Sequence, residues 1–475
     1  MKTKQFRLFD AVLMAVVIVL VVESISPAAA IGPSQFFWWI LLLIFFFVPY
    51  GLVSSELGTA YPSTGGLYTW VKAAFGARWG SRATWMYWIS FPIWLSSLSI
   101  LFAESLEHIT SLKTSAPLNI TVELIFIWAV VLIGNRPVSE SKWLVNVAAM
   151  AKILIILILG CMGIYVAVTR GMATHITLHT LVPATNLNSL NKLSVIIFNF
   201  LGFEVVAGMS KQMKNPKKQI PQAIIFGGLL IAFFYLFSAF GVGAAIPSSQ
   251  LSASSGLLDS IEMMVDHGSW IVIAVGGLFM FTLLLEMVSW SMGVNRVAVV
   301  AVADHAFPAI FGHQNKHGEA VGAGYLNGIV ASCVSVGLLF VHDANAFNTI
   351  FTLNVVAILF GYLTMFPAFL KLRVSDAQHE RPFRVRGSWP MIVGMAVIPE
   401  GLLAITMVLT LIPAHWTMSA VTNQLILWGG LAIFFVIGEL IARGNWRQKT
   451  TSETRDVQVK PIAEKITVKT NLIIK

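Results

Sequence analysis

The sequence predicts an all-α membrane protein of twelve transmembrane helices, from its composition, the spacing of its apolar runs and the sidedness of its positive charge. Of 475 residues, 57% are hydrophobic and 11% charged, and the mean hydropathy of +0.79 lies outside the range of soluble domains. A hydrocarbon core about 30 Å thick needs about 20 apolar residues per helix. Such runs lie near 9 to 30, 36 to 57, 84 to 104, 119 to 134, 143 to 168 and 194 to 209, and again near 221 to 246, 269 to 294, 320 to 341, 347 to 370, 390 to 413 and 423 to 442. Residues 1–442 form the transmembrane domain: repeat one about 8–168, repeat two about 194–370 and two extra helices about 390–442. The polar stretch 443–475 is expected to be a mobile tail.

With the N-terminus placed in the cytoplasm, 27 of the 31 Lys and Arg residues fall on that face and three, Lys113, Arg170 and Lys192, on the other. That asymmetry satisfies the positive-inside rule for a cell inner membrane protein with both termini cytoplasmic. The net charge of +9 therefore belongs to loops, and nucleic acid is not an expected partner. The first 30 residues also imitate a secretory signal, ending Pro27-Ala28-Ala29-Ala30. They are read as a retained span, because they contain the first of two helices expected to be broken at mid-membrane.

Two spans carry breaker residues and an acid at mid-depth, where unpaired backbone groups cost several kcal/mol each. One is Val22-Glu23-Ser24-Ile25-Ser26-Pro27-Ala28-Ala29-Ala30-Ile31-Gly32-Pro33, the other Phe200-Leu201-Gly202-Phe203-Glu204-Val205-Val206-Ala207-Gly208. They sit in the first and sixth spans, as expected of two five-helix repeats of inverted topology that meet at the midplane. Breaks are expected around Ser24 to Ala30 and Gly202 to Gly208. There, free N–H groups would attract a carboxylate and free carbonyls an ammonium. Small residues, Ser24, Ser26, Ala28 and Gly202, would let backbone approach the ligand.

Other constellations argue against other classes. Cys161 and Cys333 each lie in an apolar run and suggest neither a disulfide nor a thiolate metal site. His305, His313 and His317 share a loop without a carboxylate frame and read as solvated residues, so no metal or cofactor is expected. A phosphate-binding Gly-x-x-x-x-Gly-Lys-Ser/Thr pattern is absent, which argues against an ATP-driven motor in this chain. An intramembrane enzyme would need a paired nucleophile and base, which the spans do not supply.

Several motifs resemble the amino acid-polyamine-organocation family. Glu56 followed by Pro62-Ser63-Thr64-Gly65-Gly66-Leu67-Tyr68-Thr69-Trp70 and Phe75-Gly76 is similar to the family's loop after the second span. Gly202-Phe203-Glu204, then Lys214-Asn215-Pro216-Lys217-Lys218 and Ile220-Pro221, resembles its sixth-span motif, and Asn295-Arg296 with Ala303-Asp304 and Phe307-Pro308 its stretch after the eighth. Glu286-Met287-Val288-Ser289-Trp290 and the spacing look most like the glutamate:GABA antiporter branch. The resemblance implies a LeuT-like fold and a small amino acid or amine substrate. The sequence departs from it in the first span, where Glu23 to Gly32 replaces the Gly-x-Gly turn that receives a substrate carboxylate.

The resemblance also implies a role for Lys152, as an ammonium bridging the first and eighth helices where sodium-coupled relatives bind an ion. A buried lysine can alternatively shuttle a proton, or the side chain can snorkel to the surface. The expected substrate site comprises Glu23, Ser24, Ser26, Ala28, Gly202, Phe203, Glu204, Glu286 and Trp290. In it Glu23 meets a substrate amine, Glu204 either orients its break by accepting backbone N–H groups or is protonated and neutral, and Glu286 and Trp290 share one face of the eighth helix, with packing the alternative role for Trp290. Exchange of an amino acid for its amine product by alternating access is the leading expectation. A proton symporter and a non-transporting membrane sensor are the alternatives.

Overall fold

The computed structural model describes residues 7–110, 115–137, 142–183, 190, 193–208, 213–251, 256–265, 269–340, 346–413 and 417–444. The tail beyond Gly444 lies outside the described residues, as do Lys2, Lys4, Lys113, Lys192 and Lys211 of the charge count.

The described chain is helical. The first span is α1 (Leu8–Val19) and α2 (Ile25–Ala29); α3 (Gln35–Ala60) is the second, and α4 (Gly66–Phe75) lies in the loop that follows. Spans three to five are α5 (Ala77–Thr110), α6 (Ala116–Gly134) and α7 (Lys142–Thr169). The sixth is α8 (Leu193–Phe198) and α9 (Phe203–Gly208), the seventh α10 (Pro216–Ala245), followed by the short α11 (Gly256–Met264). Then come α12 (Trp270–Ala303), α13 (Val321–Leu338), α14 (Ala346–Tyr362) running into α15 (Met365–Ser375), α16 (Trp389–Thr410) and α17 (Met418–Arg443). Among the described residues ten helices are long and apolar enough to cross a bilayer, and the bent pair α1–α2 makes an eleventh. The expected twelfth, the sixth span, consists of two short pieces and does not pass on length alone.

Two helices outrun their apolar stretches. α5 and α12 each have 34 residues, about 50 Å of helix against a core of about 30 Å, so their ends stand outside the hydrocarbon. α5 is the central post, packed against α4, α6, α12, α13, α14 and α17. Its buried tryptophans, Trp85, Trp88 and Trp94, fill the space between them.

Without a hydrophobic force between helices in lipid, close packing depends on small residues. Where α7 crosses α10, a Cβ on Gly163 would come within 2.5 Å of the Gly241 Cα, and one on Gly241 within 2.5 Å of the Leu159 carbonyl oxygen. Gly241→Val should therefore force the helices apart, costing about 1–3 kcal/mol and lowering the thermal unfolding midpoint in detergent. A methyl added at Gly277 meets nothing within 4 Å, so Gly277→Ala serves as the unshifted control. Equal midpoints for the two variants would refute this account of the crossing.

Both breaks fall a few residues before their expected positions. The first lies at Leu20 and Val21, which are extended (ψ 95° and 97°), and the axes of its two halves differ by 46°. Of Ser24 to Ala30, expected to be unwound, Ser24 to Ala29 is helical. Pro27 falls in the first turn of α2, where its missing N–H breaks no intrahelical bond. The second break spans Asn199 to Gly202, and Phe203 to Gly208, also expected unwound, forms α9. Gly202 is at φ +111°, a conformation open to glycine at little cost.

Candidate functional site

The carbonyls freed where α1 stops are taken up by side chains of three other helices. Lys152 Nζ, on α7, donates to Val17 O at 2.7 Å and Leu20 O at 2.5 Å. Trp290 Nε1, on α12, donates to Ile18 O at 2.7 Å. Tyr235 OH, on α10, donates to Val19 O at 3.0 Å and accepts from Val21 N at 2.7 Å. Ser24 Oγ lies 2.7 Å from Val21 O and 2.6 Å from Asn199 Oδ1, which joins the first break to the second. The expectation that these carbonyls attract a substrate ammonium is thus corrected: they already have donors.

Lys152 is fully buried and its Nζ is 2.9 Å from Glu286 Oε2, so it ties α7 to both α1 and α12 and does not snorkel. Beside this pair stands Glu23, 3% exposed, with neither oxygen hydrogen-bonded to a described residue. Trp94 and Glu286 approach it, and Lys152 lies within its field. The Trp94 Nε1 donor and the Asn199 amide nitrogen are likewise buried without partners among the described residues. Buried polar groups in native proteins are rarely left so, and four such atoms around one pair of breaks suit a polar ligand.

The second break is held differently. Gly202 N donates to Tyr50 OH at 3.3 Å and Tyr362 OH at 3.2 Å, so its N–H is already filled by phenols. Glu204 accepts from Tyr50 OH at 2.6 Å and Tyr87 OH at 2.7 Å. It was expected to accept backbone N–H groups, but tyrosines of α3 and α5 take their place. A small cavity beside Glu204 is lined by Thr64, Gly66, Tyr87, Gly293 and Arg296, leading towards the α4 face.

Of the residues expected at the site, Glu23, Ser24, Lys152, Glu286 and Trp290 gather at the first break, with Gly202 against the Trp290 ring. Glu204 stands apart in its tyrosine cage. Phe203 turns away onto Phe47 and Tyr50 of α3, while Ser26 abuts Gly256 of α11, and Ala28 is buried within α2. Sequence reading missed Tyr50, Tyr87, Tyr235, Tyr362, Trp94 and Asn199. Four of the chain's eight tyrosines lie within spans at 0 or 1% exposure, and a phenol inside lipid needs a partner; that was the available signal.

The motif residues that carried the resemblance cluster on the α4 face as closures. Glu56 is buried against Arg373, with Arg381 Nε at 3.2 Å and Val385 N at 2.8 Å. Lys72 Nζ pairs with Asp304 at 2.6 Å. Tyr61 OH donates to Asp376 at 2.7 Å, and burial together with that bond pushes its phenol up to about 12.

Broken first and sixth helices facing each other, with buried acids at the breaks, are the arrangement of a polytopic secondary transporter. Residues 6–438 match the amino acid permease family, and the chain belongs to it; it is a transporter and not an enzyme. It is 45% identical over 442 residues, 93% of this chain and 95% of the other, to a probable agmatine/putrescine antiporter of Lactococcus lactis subsp. lactis. A glutamate/gamma-aminobutyrate antiporter of the same organism is 24% identical over 72% of this chain and 70% of its own length. The fold matches the crystal structure of MhsT in complex with L-phenylalanine, with TM-score 0.64 at 14% identity, covering 86% of this chain and all of that one. That match supports the inverted-repeat fold and nothing about substrate.

Proposed function

We propose that the chain is an antiporter of the plasma membrane that exchanges a guanidinium-bearing amine of the agmatine type for a diamine of the putrescine type. The observation that carries this reading is the Glu23 carboxylate, buried without a partner beside a Lys152–Glu286 pair. Two acids, Glu23 and Glu286, stand at the first break with one buried lysine, so the site favours a substrate that brings positive charge. The backbone donors that a substrate carboxylate would seek at the breaks are taken, because Gly202 N and Val21 N are bound to tyrosine hydroxyls. The 45% identical relative named for two such amines agrees. The basic loops face the cytoplasm in this reading.

Exchange follows from the same carboxylate. An unloaded carrier must take an uncompensated buried charge through the occluded state, at a cost of several kcal/mol, whereas a bound amine neutralises it. Loaded carriers therefore cross and empty ones do not. In proteoliposomes, labelled agmatine should enter when putrescine is inside and hardly at all when the lumen is empty. Uptake into empty vesicles driven by a proton gradient would replace exchange by symport, and glutamate or GABA outcompeting the amines would replace the substrate class.

A further inference from the structure

We propose that the cavity between α5, α14 and α17 holds an acyl chain of an anionic phospholipid, whose phosphate sits among the guanidinium groups of Arg78, Arg82 and Arg443. The cavity has a volume of about 290 Å³ and is walled chiefly by aromatic and aliphatic side chains, Phe360, Leu363 and Phe435 among them; Thr364, Arg82 and Glu439 are its hydroxyl and charged members. A water takes about 30 Å³ in the liquid, so the space is worth roughly ten waters, yet a cavity so apolar stays dry.

Its surroundings say what fills it. Phe435 and Trp79, in its walls, are 47% and 49% exposed, and Val436 and Leu440 beside them on α17 are more exposed still. Such a face on a spanning helix meets lipid tails. α17 cannot close the space by moving inward, because it already touches α5. Trp85 Nε1 donates to Phe434 O at 2.7 Å, and a Cβ on Gly438 would lie 2.5 Å from Trp85 Cδ1.

Charge selects the headgroup. Glu439 accepts from Arg82 Nε at 2.8 Å and Nη2 at 3.1 Å, and from Arg443 Nε at 2.5 Å. Two guanidiniums on one carboxylate leave one positive charge, and Arg78, exposed and one turn before Arg82 on the same face of α5, adds a second. Arg82 also stacks on Trp79, its guanidinium carbon 4.8 Å from the ring centre, at the level where indoles border a bilayer. Guanidinium groups bind phosphate through paired N–H groups. A zwitterionic headgroup would bring its own cation up to these arginines, whereas an anionic one does not. This end of the bundle also carries α4 and the basic loops, and the bound lipid adds a further tie between the last span and the central post.

Native mass spectrometry of the purified full-length protein, with phosphatidylglycerol and phosphatidylcholine of the same acyl chains supplied in equal amounts, tests the assignment. The parent should retain one phosphatidylglycerol per chain, in roughly tenfold preference over phosphatidylcholine, and salt should weaken that preference. Replacing both exposed arginines, Arg78→Gln with Arg443→Gln, should bring the two lipids level. Leu363→Trp, which sets an indole in the cavity, should lose both. Equal retention of the two lipids by the parent, a preference that survives removal of both arginines, or the same bound lipid in the parent and in Leu363→Trp overturns the proposal. So does a dimeric parent without lipid that Leu363→Trp makes monomeric, since a second copy would then fill the cavity. No substrate enters the measurement, so failure here is distinct from failure of the exchange reading.

Discussion

Lys152→Met should reduce exchange by roughly a hundredfold or more. Methionine keeps the length of the stem and removes the ammonium, leaving Glu286 without its pair and Val17 O and Leu20 O without their donor. Removing one partner of a buried ion pair costs about 3–5 kcal/mol, enough for a hundredfold change in any step that must form it. The parent protein should show no dependence on sodium, since Nζ occupies the place between α1 and α12 and a second cation there is repelled. Counterflow at equal osmolarity in sodium and in choline buffers, beside a melting curve for the variant, reads both expectations. Flux that scales with the sodium gradient, or a variant exchanging at the parent rate, would end this assignment.

Glu23→Gln should weaken amine binding by about 1–3 kcal/mol, the worth of a charge-assisted hydrogen bond, or roughly five- to 150-fold in Kd. It should also loosen coupling. With the charge gone, the empty carrier no longer bears the desolvation cost of the carboxylate, so efflux into substrate-free buffer should rise relative to exchange. Glu204→Gln keeps a group that Tyr50 and Tyr87 can still bond, and should slow all substrates alike without changing their ranking. Unchanged amine affinity in the Glu23 variant would move that acid from the site to the scaffold.

The spans were legible because lipid demands long apolar runs, and their ends were set by charge and breaker residues. The acids and Lys152 stood out since ionisable groups inside lipid are costly. The breaks were misplaced by a few residues for a physical reason. At Leu20-Val21 nothing local forbids a helix; it stops there because Lys152, Trp290 and Tyr235, between 132 and 272 residues away, offer its carbonyls better donors than the next turn would. Pro27 and the alanines advertised a break that they do not make. The tyrosine cage around Glu204 was hidden likewise, because Tyr50, Tyr87 and Tyr362 come from three separate spans.

In the exchange proposed above, the unpartnered Glu23 carboxylate also sets where transport stops. If only occupied carriers return, each inward molecule is matched by one outward, and two dications crossing in opposite directions move no net charge. Membrane voltage then drops out of the balance. Flow ceases when the inside-to-outside ratio of one amine equals that of the other, so the gradients are kept open only by chemistry that supplies one amine and consumes its counterpart. A cell with a collapsed potential would still run the exchange, limited by its own metabolism of the two solutes.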